Sequence, residues 1–165
     1  MQDNVSNTSE EIEAEAGLSG RARHSSRRQR LWDAAGSYVS VAFGSIVGGV
    51  ARYLVSVLFV SQFGEDFPWG TLFVNVTGSF IIGFYATLTG PDGRLLVSAN
   101  QRLFVMVGIC GGYTTFSAFS LETLRFVQAG DVRSALVYLL VSVITWIAGV
   151  WLGHMLAMRL NRLRT

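Results

Sequence analysis

Four long apolar runs divide the chain, at roughly 37–60, 70–89, 101–127 and 134–158. Each is long enough for a helix to cross a hydrocarbon core. Polar residues bound them: Ser61 to Trp69 after the first, Gly90-Pro91-Asp92-Gly93-Arg94 after the second, and Gly130-Asp131 after the third. Pro68-Trp69-Gly70 suits a helix start at a membrane interface. Gly-Pro-Asp-Gly is a turn signal, and Ser98 or Asn100 is placed to cap the third helix. The pattern predicts an all-α integral membrane protein with four transmembrane helices.

The polar residues within the runs are spaced. Gly44, Gly48 and Arg52 follow one another at four-residue steps in the first helix and share a face. Gly44-x-x-x-Gly48 is a close-packing pattern between membrane helices. Arg52 has two readings: it faces an aqueous cavity or partner, or it snorkels from the helix end. Thr71, Asn75 and Ser79 align in the second helix. Tyr138, Ser142, Thr145 and Gly149 form a stripe in the fourth. The third run holds Gly108-Ile109-Cys110-Gly111-Gly112-Tyr113-Thr114-Thr115-Phe116-Ser117-Ala118-Phe119-Ser120. Three glycines and two adjacent threonines disfavour a continuous helix there. The expectation is a helix broken mid-membrane, with its freed backbone groups buried in protein or facing water.

Composition supports this picture and narrows the chemistry. Half of the 165 residues are apolar, and the mean hydropathy is +0.41. Residues 1–36 differ from the rest. Acids between Asp3 and Glu15 precede arginines at 21, 23, 27, 28 and 30, and the segment reads as a disordered tail, not a signal peptide. Residues 37–158 then form the four-helix transmembrane domain, and 159–165 a basic C-terminal tail. All basic side chains are arginine. Ten lie on one predicted side and only Arg125 and Arg133 on the other, which places both termini in the cytoplasm. Cys110 reads as a packing residue, Glu122 and Arg125 as an interfacial ion pair, and His154 as an interface residue. There is no nucleotide loop, metal-ligand cluster or nucleophile–base pair, so the chain is not expected to be an enzyme.

The side chains of Asn75, Ser79, Ser117, Ser120, Tyr138 and Ser142 are neutral hydrogen-bond donors. Phe116 and Phe119, three apart, add ring edges of positive quadrupole character. Donors with ring edges suit an anion, and neutral donors suit one that must leave quickly. A small drug/proton antiporter would need an acid in the first span, and 37–60 has none. A membrane scaffold would explain the glycines but not donors aligned beside paired phenylalanines.

Gly70-Thr-Leu-Phe-Val-Asn-Val-Thr-Gly-Ser-Phe-x-x-Gly83, the run from Gly108 to Ser120 and Gly48-Gly49-x-x-Arg52-Tyr53 together resemble the Fluc or CrcB family of fluoride channels. The resemblance covers roughly 40–156. It implies a fluoride-specific channel for passive export that relieves cytoplasmic fluoride toxicity, in the plasma or inner membrane. It also implies an antiparallel dual-topology dimer with two pores. Asn75, Ser79, Phe116, Ser117, Phe119, Ser120, Tyr138 and Ser142 would line the fluoride pathway, and Arg52 the vestibule. A structural sodium ion (Na+) would be held by backbone carbonyls of Gly111 and Thr114. Ala118 departs from the Thr that members often carry there. The uneven arginine distribution also departs from dual insertion, so an antiparallel homodimer stands beside a heterodimer with an oppositely oriented paralogue.

Overall fold

The structure is a computed structural model that describes residues 3–163. Among these the chain is helical, with no strand: α1 (Asp3–Phe63), α2 (Trp69–Leu88), α3 (Ala99–Arg102), a π-helical segment (Leu103–Cys110), α4 (Gly111–Tyr113), α5 (Phe116–Gln128) and α6 (Val132–Arg162). Four stretches are long and apolar enough to cross a membrane: Ala34–Phe63, Trp69–Leu88, Ala99–Gln128 and Val132–Arg162. They match the four expected spans to within a few residues.

Two compact units are present, 1–38 and 39–165. The first lies in α1. Its backbone is helical from Asp3, where an unstructured tail was expected over 1–36. Glu, Ala, Leu and Arg are good helix formers. At the other end α6 runs to Arg162, so Arg159 and Arg162 of the expected basic tail belong to it. Arg164 lies outside the described residues.

The second unit is built by close backbone approach. A Cβ on Gly44 would come within 2.9 Å of Gly108 Cα, and one on Gly48 would collide with Ile109 O. The Gly44-x-x-x-Gly48 face therefore packs α1 directly on the π-helical segment. A side chain at Gly83 would meet Val150 O, and one at Gly153 would meet Phe80 O, so α2 and α6 approach in the same way.

Connections follow local chemistry. Gly130 (φ 79°) closes α5 in the left-handed conformation, and Asp131 accepts from Ser134 N at 3.0 Å to open α6. Ser98 caps α3 in a reciprocal box with Gln101, which decides between the two expected caps. Arg94 N donates to Asn161 Oδ1 at 3.2 Å, tying the α2–α3 loop to the end of α6. The Thr87 hydroxyl lies 2.8 Å from His154 Nδ1.

Burial is inverted relative to a soluble domain. Large apolar side chains such as Phe43, Ile46, Leu54, Ile144 and Ile147 are exposed, while Thr71, Asn75, Thr115 and Ser142 are buried. An apolar surface this extensive needs lipid or protein against it.

Candidate anion pathway

The third span is interrupted at Thr114 (φ −85°, ψ 160°) and Thr115 (φ −152°, ψ 122°), both extended. The π-helical segment and the three residues of α4 lead into the break. A π-helix of eight residues is rare and marks strained, often functional, helix. Thr115 restarts the helix by accepting from Ala118 N at 3.2 Å through its hydroxyl.

Asn75 of α2 clasps the break. Its Oδ1 accepts from Thr115 N at 2.7 Å, and its Nδ2 donates to Thr115 O at 2.9 Å. The Thr115 N–H would close a helical bond to Gly111 O, and the Ala118 N–H one to Thr114 O. Both N–H groups donate elsewhere, so these two carbonyls are released from the helix ladder. Arg52 NH1 reaches Thr114 O at 3.5 Å. The face of α1 that begins at Gly44 and Gly48 thus ends at the break, and Arg52 points to this backbone instead of snorkelling away from it.

A cavity of about 280 Å³ opens at the break, lined by Asn75, Ser79, Gly111, Thr114, Phe116 and Trp146 among others. Five residues expected from sequence meet there. The two phenylalanines are not equivalent: Phe116 is 72% exposed and Phe119 only 6%, with ring centroids 5.7 Å apart. Phe119 is packed against Tyr138 (5.2 Å) and edge-on to Trp146 (4.9 Å). Ser117 lies 3.2 Å from the Thr115 hydroxyl, and Ser120 donates to Phe116 O at 2.9 Å; both side chains are on the exposed side of α5.

Beyond Phe119 stands a residue read differently from sequence. Glu122 accepts from Thr71 Oγ1 through Oε1 and from Tyr138 OH through Oε2, each at 2.7 Å. The spacing to Arg125 pointed to an ion pair; the restart of the helix at Thr115 turns Glu122 towards α2 and α6 instead. The Tyr138 hydroxyl expected in the donor track is thereby committed to a carboxylate. Thr145 also leaves the stripe, because its hydroxyl donates back to Val141 O at 2.6 Å. Ser142 is fully buried on the same helix.

Residues 39–154 match the family model described as CrcB-like protein, Camphor Resistance (CrcB). The chain belongs to the CrcB family. It is 60% identical over 134 residues to "Fluoride-specific ion channel FluC 1" of Rhodopseudomonas palustris strain BisB18, covering 81% of this chain and 95% of that protein. It is 51% identical over 127 residues to "Fluoride-specific ion channel FluC" of Opitutus terrae, covering 77% and 96%. A further relative, "Fluoride-specific ion channel FluC 3" of Brucella abortus, is 47% identical over 125 residues, covering 76% and 91%. With four helices apolar enough to span, this CrcB-family chain is a multi-pass membrane protein.

Proposed function

We propose that this chain is a fluoride-specific ion channel that lets fluoride leave the cytoplasm passively, and that it works as an antiparallel dimer. The observation that carries the reading is the cavity at the helix break, where Asn75, Ser79 and Phe116 converge with Trp146, whose ring packs on buried Phe119. The relatives' names agree with it.

An anion entering here loses water and gains neutral donors. Asn75 uses one of its two N–H bonds on Thr115 O and keeps the second. Ser79 and Ser142 supply hydroxyls, and the phenyl edges of Phe116 and Phe119 supply weak positive potential. Ser117 and Ser120 extend the track along α5. Near Tyr138 the anion meets Glu122, whose carboxylate oxygens are covered by Thr71 and Tyr138 hydroxyls. That cover lowers the repulsion a bare carboxylate would exert. Arg52, whose guanidinium reaches Thr114 O at the break, would raise the local anion concentration there without tight binding.

The residues fit a structural sodium ion. Gly111 and Thr114 present carbonyls released from the helix ladder, and hard cations take oxygen ligands. A Cβ on Gly111 would meet nothing, so its backbone is open to a second copy. Two carbonyls fall short of a full shell for such an ion, and an antiparallel partner would double them. The cation would also offset backbone dipoles at the dimer centre, while Arg52 at Thr114 O sets a competing charge.

Fluoride efflux from liposomes holding the purified chain tests the reading. Wild type should release fluoride and retain chloride. Phe116→Ile combined with Asn75→Asp should lower the rate at least tenfold, the loss expected when donors to a charged ligand are removed. Unchanged efflux in that variant would remove the pore assignment.

A further inference from the structure

We propose that Trp146 is an anion-contacting residue of this chain, its indole N–H donating to the permeating ion beside Ser142. The proposal rests on the fluoride reading above and adds a donor to it.

The two buried side-chain polar atoms without a partner among the described residues are Ser142 Oγ and Trp146 Nε1. They sit four residues apart on α6 and so share one face. Neighbouring polar side chains each have a partner: Tyr138 and Thr71 donate to Glu122, Thr145 to Val141 O, and Asn75 and Thr115 bond each other. Leaving two donors unpaired and dehydrated on one face is costly, so such groups call for an explanation. The indole explains itself only with a ligand that has a lone pair, because its N–H donates and cannot accept. A cation is excluded as its partner, leaving an anion, a water molecule or an acceptor oxygen of a second copy.

Position favours the anion. Trp146 forms part of the wall of the cavity at the helix break, with Asn75, Ser79, Thr115 and Phe116. Its ring stands edge-on to Phe119 at 4.9 Å and 73°. No acidic residue lines this cavity. An indole also cannot ionise, so it can strip water from a small anion without holding it permanently. The stripe read from sequence passed through Thr145 and missed Trp146. Steps of four from Tyr138 through Ser142 reach it.

Two measurements test the assignment. In liposomes, Trp146→Phe retains an aromatic ring against Phe119 and removes the N–H; fluoride efflux should fall on the order of tenfold, as for a lost hydrogen bond to a charged group. In wild-type protein labelled with 15N-tryptophan, the Trp146 indole resonance, assigned by its loss in that variant, should move saturably with sodium fluoride. The exposed Trp32 should not respond. Wild-type efflux with an unmoved Trp146 resonance, or W146F flux equal to wild type, overturns the proposal and leaves the channel reading intact. A resonance that moves in a chain that releases no fluoride overturns the channel reading and keeps the site. An unmoved resonance in a chain that releases none overturns both.

Discussion

The position that most constrains the helix break is Asn75. It donates to and accepts from one residue, Thr115, and so replaces the helix bonds lost at the break. Asn75→Ala would leave both Thr115 backbone groups buried without partners, costing about 2 kcal/mol or more. A lowered unfolding midpoint in detergent should accompany the loss of fluoride flux. Asn75→Asp keeps the acceptor for Thr115 N and replaces the donor with a negative charge, so it should impair flux more than stability. Equal losses of stability in both variants would count against this division of labour. The same residue shows what can be read from sequence alone. An asparagine within an apolar run, aligned with Thr71 and Ser79, announces a polar track. That its amide is largely spent on Thr115 depends on the register between α2 and the break, which no spacing along one helix reveals. Glu122 is the counterpart: Arg125 was visible at three residues, whereas Thr71 and Tyr138 arrive from other helices.

At the level of elements, the third span is organised by its neighbours. Its glycines permit contact, and α1 presses on them through Gly44 and Gly48. Gly48→Leu should therefore part α1 from residues 109–113, destabilise the chain by about 1–3 kcal/mol and move Arg52 from Thr114 O. Gly49→Ala, where added atoms meet nothing within 4 Å, should be tolerated. Thermal unfolding of the two variants checks the contrast. The four spans and the glycine face were legible because each has a local chemical cause, length for the spans and period for the face. The π-helical run over Leu103–Cys110 was not legible, since its apolar sequence fits an α-helix equally well. At the start of α6, hydrogen bonds from Ser134 hold the Asp131 carboxyl below the ordinary carboxylate range. A lowered folded value means that the cap's contribution is full above the ordinary range and is lost as pH falls below it, through the lowered value. Protection of the Ser134 amide should accordingly decline on acidification in wild type. It should become insensitive to pH in Asp131→Asn, which keeps an acceptor but cannot titrate.

For the whole molecule, the distribution of polarity sets the constraints. Apolar side chains point outward over α1 and α6, while polar ones concentrate around the break. One copy leaves Gly111 and Phe116 open, and these surfaces would be covered in an antiparallel pair. The proposed sodium site between two copies predicts that replacing sodium with a large organic cation shifts the protein towards monomer in detergent, read by analytical ultracentrifugation. The arginines make the sharper demand. Ten stand on one predicted side and two on the other, so a chain that pairs with itself must overcome its own bias. Fluoride release from liposomes containing only this purified chain tests the central claim most directly. The account predicts release of encapsulated fluoride well above protein-free vesicles, with chloride retained and with the rate reduced in Phe116→Ile/Asn75→Asp. Release of fluoride and chloride alike, or fluoride release unaffected by that double substitution, would contradict it.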